Sequence, residues 1–348
     1  MYINIANTCA ILIDNHIPDD LQYALKDEFR HHWEEKEQVT LPIVGRVDYD
    51  VSLNKPSSAV MLLDKRLFVD SDNHYVCEGS GVYRVALTEE CFHITTNSDA
   101  ASDVVTVLIQ SLLNFYITQY ALVFLHTAAF KYKDKVYAIH GFGGAGKTET
   151  MIEALSRGAM FISDDLAIFN EQGQIFPYLR KISLHDYPYT DEQLVKYGLS
   201  RRLYHMMQLC HRHSNRFTRY LYRRWSGYFK ISLDYTKLTC GQVSALHFYD
   251  VNYNYWLDAS NNTTYTSLSK EVFNRKMSFC MDNEFRPYID FDGYLGITCP
   301  FWQKIRERHQ IIIKKVLSVL DVQGISINKR NYTELTDLIL KRNKNILQ

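Results

Sequence analysis

An excess of charge of either sign is missing from this chain: 39 Lys and Arg stand against 39 Asp and Glu in 348 residues. No global field therefore draws the protein to nucleic acid or to an anionic membrane, and any electrostatic recognition has to be local. Cysteine pairs at metal spacing are missing too. The seven cysteines, at positions 9, 77, 91, 210, 240, 280 and 299, contain no C-x-x-C, which reads as reduced structural thiols in a cytosolic protein rather than zinc ligands. The first residues, Met1-Tyr2-Ile3-Asn4-Ile5, show no basic region leading into an apolar core, so a signal peptide is not expected. The most apolar stretch, Val104 to Phe130, is broken by Gln110, Asn114, Gln119 and His126, and is expected to be a buried helix and strand rather than a membrane span. Internal repeats and low-complexity segments are absent. Together these absences predict a cytoplasmic protein without membrane or nucleic-acid partners, and they leave a homo-oligomer open.

What is present is a folded, aromatic-rich sequence, 14% Phe, Trp and Tyr, long enough for two domains. Within it, Gly141-Phe142-Gly143-Gly144-Ala145-Gly146-Lys147-Thr148 fits the P-loop pattern G-x-x-x-x-G-K-[ST] at every required position. The residue types follow from the task. Glycines accept positive φ and carry no side chain, so consecutive N–H groups can turn inward around phosphate oxygens. Lys147 would bring a cation to the β and γ phosphates, and the Thr148 hydroxyl would complete the shell of a Mg²⁺ ion. Gly141, Gly143, Gly144, Ala145, Gly146, Lys147, Thr148 and Glu149 are thus the expected nucleotide-binding set. Context agrees, because Lys135 to His140 reads as a buried strand, and Thr148 to Ser156 as a helix carrying Met151, Ile152 and Leu155, capped by Gly158.

Around this motif the chain is expected to be α/β. Residues 1–100 read as a β-rich N-terminal domain, with strands near 59–63, 67–69, 82–87 and 91–94. Residues 101–348 read as a P-loop domain with a basic helical insertion at about 191–230. A helix is expected from about Ala101 to Tyr120, then a strand from Ala121 to His126 and a turn at Lys133-Asp134. Strands so close in sequence suggest a hairpin, hence a mixed rather than wholly parallel sheet. Further on, Ala159 to Phe169 reads as one apolar strand interrupted by carboxylates and Val243 to Asp250 as another strand. Trp302–Leu320 and Asn331–Leu347 read as helices.

Asp164-Asp165 is the next strongest signal. A carboxylate closing an apolar strand soon after a P-loop suits a metal ligand, and its neighbour could take a proton from an attacking hydroxyl. Successive strand residues point to opposite faces, so the two are not expected to share one role. His126 could act on the nearby Asp, or be a satisfied core histidine; His140 could orient the loop. Between Ser200 and Lys230 lie Arg201, Arg202, Arg212, Arg216, Arg219, Arg223 and Arg224, interleaved with Tyr204, Phe217, Tyr220, Tyr222 and Trp225 and free of Asp and Glu. Such a run could hold an acidic substrate segment, stack on a base or touch RNA, but a solvated helical face is the commoner explanation, although one of these Arg could reach a transferred phosphate. Asp282-Asn283-Glu284 lacks calcium-loop spacing and reads as a turn.

Taken in order, His126-Thr127-Ala128-Ala129-Phe130, the P-loop with Glu149, Arg157-Gly158 and Ile162-Ser163-Asp164-Asp165 resemble the HPr kinase/phosphorylase-like family, which carries a phosphoenolpyruvate-carboxykinase-type P-loop. The resemblance covers about residues 105–180. It implies a P-loop core on a mixed sheet, ATP and Mg²⁺ as cofactors, and phosphorylation of a hydroxyl. It implies Lys147 on the phosphates, Thr148 and Asp165 at the metal, Asp164 as general base and His126 as its partner. The second, Glu-containing Gly-rich signature of true HPr kinases is missing, and the Arg-rich region is not part of that pattern. The implied acceptor is therefore a serine of another peptide or protein, or a small-molecule alcohol. A nucleotide-binding regulator or ATPase that binds a partner without phosphorylating it is the alternative, and carboxykinase chemistry on a small acid would need additional metal ligands, and arginines at the acid site, that the sequence does not place.

Overall fold

The computed structural model describes residues 1–36, 38–55, 60–61, 67–70, 73–78, 80–97, 103–141, 145–179, 182–183, 191, 200–212, 218, 230–231, 241–251, 264–266, 268–284, 295, 298–327 and 332–342. They form a mixed α/β structure of two compact units, Met1–Leu179 with Leu238–Gln348, and Arg180–Lys237. The expected boundary at residue 100 falls inside the first unit.

The N-terminal layer of that unit is a nine-stranded sheet in the order β3-β1-β2-β4-β9-β8-β7-β6-β5. Its strands are β1 (Tyr2–Ile5), β2 (Cys9–Ile13), β3 (Trp33–Glu34), β4 (Ile43–Tyr49), β5 (Val60–Met61), β6 (Leu67–Val69), β7 (Asn73–Glu78), β8 (Gly81–Leu87) and β9 (Phe92–Thr96). Ile3, Ile5, Cys9, Ile11 and Ile13 alternate toward one face and bury there. Helix α1 (Asp19–Glu28) adds Leu21 and Leu25. Helix α2 (Asp103–Tyr116) adds Val105, Leu108, Ile109, Leu112, Leu113 and Tyr116, the three-and-four spacing of a broad apolar stripe. One apolar core thus continues from the N-terminal strands into α2.

The helix expected to reach Tyr120 is α-helical only to Tyr116, and Ile117–Tyr120 tightens into a 3₁₀ turn ended by Ala121 at φ 57°. Strand β10 (Leu122–Leu125) then leads through His126 into β11 (Thr127–Tyr132), which turns at Lys133-Asp134 into β12 (Lys135–Gly141). The hairpin and the mixed sheet match the expectation: β12 pairs antiparallel with β11 and parallel with β18 (Gly241–Val251), which pairs parallel with β20 (Val322–Ile327). The segment 159–169 differs from the expectation. It is two strands, β13 (Met160–Ser163) on β11 and β14 (Ala167–Asn170) on β10. Asp164, Asp165 and Leu166 form the corner between them, where Asp165 takes φ 68°. Strand β15 (Gln174–Phe176) joins β14 to the start of β18, and β19 (Thr264–Thr266) edges β20.

Helix α3 (Lys147–Ser156) follows the P-loop strand and ends as expected at Gly158, φ 89°, with Gly158 N–H on Leu155 O and Ala159 N–H on Ala154 O. Among the later helices, α4 (Arg201–Arg212) belongs to the second unit, together with the short ladder of β16 (Ile182–Ser183) and β17 (Lys230–Ile231). There Asp191 pairs with His205 at 3.2 Å and Arg201 at 3.5 Å. Arg216, Arg219, Arg223, Arg224, Phe217, Tyr220, Tyr222 and Trp225 lie outside the described residues. In the first unit, Asp282-Asn283-Glu284 closes helix α5 (Lys270–Glu284) rather than a turn, because Phe273, Met277 and Cys280 repeat every three or four residues and bury against the sheet. Helix α6 (Trp302–Val319) feeds both cores, Trp302 and Ile305 into the first and Ile312, Ile313, Val316 and Leu317 into the second. Helix α7 (Tyr332–Arg342) lies on α3, where Thr336 donates to Thr150 O at 3.4 Å and Arg157 pairs with Asp337.

Candidate functional site

The P-loop strand delivers Gly141 at the rim of the sheet, and Gly146 opens α3 in the left-handed region, φ 96° and ψ 18°. A residue with a Cβ is strained there by about 1–2 kcal/mol, so the glycine is a backbone requirement. The Gly146 carbonyl accepts from Thr150 twice, from its N–H at 3.0 Å and its hydroxyl at 2.8 Å, which fixes the first turn of α3. Phe142, Gly143 and Gly144, the middle of the expected phosphate nest, lie outside the described residues. Ala145, Lys147, Thr148 and Glu149 are buried at the helix N-terminus, where the dipole favours an anion. Lys147 Nζ donates to Gly141 O at 2.9 Å, bridging the two ends of the loop.

Thr148 Oγ1 donates to Asp164 Oδ1 at 2.9 Å, within the buried part of the site. Asp164 is only 7% exposed, and its pKa is pushed up to about 7, first by burial and then by the charge of Asp165, against the opposing Thr148 hydrogen bond and Lys147. Asp165 is set differently. Its side chain is 49% exposed, and its Oδ1 lies 3.0 Å from His126 Nε2, on an imidazole that is almost fully covered. The structure thus brings His126 to Asp165 and Thr148 to Asp164, whereas the family resemblance had suggested Asp164 for His126 and Asp165 beside Thr148.

Three features hold the two carboxylates apart. The β11–β13 register shifts between Ala129 and Phe130, so Ile162 is the extra residue of a bulge just before the corner. Leu166 N–H then bonds Asp164 O at 2.8 Å, and Thr127 N–H bonds Asp165 O at 3.0 Å, which ties the corner to the strand after His126. Ser163 Oγ closes the base, reaching Leu166 O and, at 2.9 Å, Tyr178 O. Behind His126 stands His140. It is fully buried, its Nδ1–H donates to His126 O at 2.6 Å, and burial together with His126 and Lys147 drives its pKa well below the usual imidazole value. A neutral His140 is therefore a fixed donor that orients the His126 backbone.

Among the described residues no group of three or more His, Cys, Asp and Glu gathers in a way that could hold a metal by itself. The oxygen pair Thr148 and Asp164 nonetheless fits Mg²⁺, which takes few protein ligands and completes its octahedron with phosphate and water. The contributions of Ser163 and Tyr178 carry no local sequence signal beyond the Ser-Asp-Asp run. Among the described residues, no helix is long and apolar enough to cross a membrane. No known protein family matches this chain, and no curated protein is detectably similar to it.

Proposed function

We propose that this protein is an ATP-dependent phosphotransferase that moves the γ-phosphoryl to a hydroxyl acceptor, either a serine of a peptide or protein or a small-molecule alcohol, on a core similar to that of HPr kinase/phosphorylase-like proteins. The observation that carries the reading is the division of labour at one corner: Asp164 held by the P-loop Thr148 at 2.9 Å, and Asp165 held by His126 at 3.0 Å and open to solvent. A P-loop that serves binding alone has use for the first pair; the second is the arrangement a hydroxyl acceptor needs.

In this reading the loop N–H groups and Lys147 grip the phosphates, and Lys147 exchanges its Gly141 carbonyl for phosphate oxygens. Thr148 and Asp164 would hold Mg²⁺, which would supply charge neutralisation on the phosphates. The Thr148 hydroxyl would keep lone pairs free for a cation while donating its O–H to Asp164. Asp165 accepts the proton of the acceptor hydroxyl, and His126 fixes the carboxylate orientation. The base role thus falls to Asp165, and Asp164 takes the metal side. Because a loose transition state needs the proton only late, the position of the carboxylate matters more than its basicity.

The test is incubation of the purified chain with γ-labelled ATP, Mg²⁺ and a cell extract, followed by mass identification of the labelled acceptor. Label on a serine-bearing protein, peptide or alcohol is the expected result. Label recovered only as free phosphate contradicts the reading and favours a nucleotide-binding ATPase.

A further inference from the structure

The corner that presents Asp164 and Asp165 is anchored from the N-terminal layer of the first unit. Ser163 Oγ, at the base of the corner, donates to Tyr178 O at 2.9 Å. The next residue along, Leu179, donates its N–H to His32 Nε2 at 2.9 Å, a contact between groups 147 positions apart and buried at both ends. His32 is 8% exposed, and its other nitrogen meets Asn4 O at 3.1 Å. Since Leu179 supplies a proton to Nε2, that nitrogen accepts, and Nδ1–H is the donor to Asn4. Neutral imidazole satisfies both partners in one tautomer, and burial supports it by pushing the His32 pKa down to about 4. The imidazole also stacks on Tyr178, 5.4 Å between centroids with 29° between planes, while Phe124 and Phe29 meet the same tyrosine edge-on at 4.7 and 6.4 Å.

A chain of specific contacts therefore runs from the β1 backbone through His32, Leu179, Tyr178 and Ser163 to the carboxylate corner. We propose that His32 is a positioning residue of the phosphotransfer site: its Nε2 fixes the segment Tyr178-Leu179, that segment fixes Ser163, and Ser163 sets where Asp164 and Asp165 point. The N-terminal layer is thereby part of the machinery that aims the carboxylates. The positioning of the corner stands on these contacts; its consequence for phosphoryl transfer rests on the proposed function.

Two substitutions of similar size separate the acceptor from the bulk of the side chain. His32→Gln keeps an acceptor at the reach of Nε2, whereas His32→Asn keeps only a group at the reach of Nδ1; both remove the stacked ring. Hydrogen exchange of the full chain without ligands reads the corner directly, through Leu166 N–H and Thr127 N–H, which bond the carbonyls of Asp164 and Asp165. His32→Asn should exchange on the order of tenfold faster there, the effect of losing one buried hydrogen bond, and His32→Gln should stay within about threefold of wild type. The amides of Lys135–Gly141 on the P-loop strand serve as control and should not change. Equal exchange in the Asn and Gln variants, at either the wild-type or a raised rate, overturns the proposal. Calorimetry with ATP, with and without Mg²⁺, adds the functional readout: the Asn variant should lose part of the Mg²⁺-dependent gain in affinity and the Gln variant should keep it. A wild-type protein that binds no Mg²⁺·ATP refutes the proposed function, while the exchange comparison still decides the role of His32.

Discussion

Replacing Asp164 with Asn should stabilise the ligand-free protein at high pH while removing the Mg²⁺ dependence of nucleotide binding. The carboxyl group is buried and its folded-state pKa lies at about 7, against an ordinary 3.8. A raised carboxyl pKa means that the folded state retains a proton the unfolded chain has lost. The ionisation penalty is thus absent below the unfolded pKa, grows as pH rises toward the folded pKa, and is complete above it. At about 1.36 kcal/mol per pKa unit, the full penalty is about 4 kcal/mol. Between about pH 5 and about pH 8 the part that develops is about 3 kcal/mol. Asn stays neutral throughout and its Oδ1 can still accept from Thr148, so titrating groups not coupled to Asp164 cancel when the two proteins are compared at one pH, and the neighbour Asp165 is the main group that does not. Urea unfolding of both at each pH is the assay. The stability of the variant relative to wild type should rise by about 3 kcal/mol from the lower to the higher pH. A difference that stays flat refutes the reasoning, because Asp164 would then titrate as a solvated acid and the burial at the Thr148 contact would not be felt.

Other outcomes follow from the same structure. Lys147→Ala should abolish measurable ATP binding by calorimetry while leaving the fold intact by circular dichroism, since the ammonium donates to the Gly141 carbonyl at the other end of its own loop. Gly146→Ala should lower the unfolding free energy by about 1–2 kcal/mol through its left-handed φ of 96°, measured by urea denaturation. Gly45→Ala should destabilise the N-terminal sheet by about 1–3 kcal/mol or more, because a Cβ there would sit 2.3 Å from Phe92 Cζ on the neighbouring strand; an unchanged midpoint would contradict that packing.

The parts of the site that were legible in the sequence are those fixed by short-range chemistry. The strand before the P-loop, the helix after it and the Gly158 cap follow from an apolar run, glycine spacing and an end signal, each confined to a few residues. The β11–β12 hairpin follows from Lys133-Asp134 between two strand-like runs. What was not legible depends on partners far along the chain. Residues 159–169 carry the composition of one apolar strand, yet they bend because Asp165 adopts a left-handed φ under the hold of Thr127 and Ser163. Nothing local tells which carboxylate meets Thr148 and which meets His126, since adjacent residues differ only in which side of the backbone they leave. His32 is further from view still. Its acceptor role exists only because a loop closes 147 residues later, and nothing local marks it out from its neighbour His31 in the pair after α1. Helix α5 was masked by the charge of Asp282-Asn283-Glu284, although Phe273, Met277 and Cys280 hold the helical period.

The most direct measurement for the assignment of the two carboxylates, and with it the proposed function, is ATP binding by calorimetry with and without Mg²⁺, paired with transfer of label to the acceptor, for wild type, Asp164→Asn and Asp165→Asn. The account predicts that Mg²⁺ strengthens ATP binding to wild type and Asp165→Asn but not to Asp164→Asn. It predicts that Asp165→Asn, with binding intact, loses transfer by about 10²–10⁴-fold. Wild-type protein that binds no ATP, or a Mg²⁺ effect that survives in Asp164→Asn and vanishes in Asp165→Asn, would contradict it.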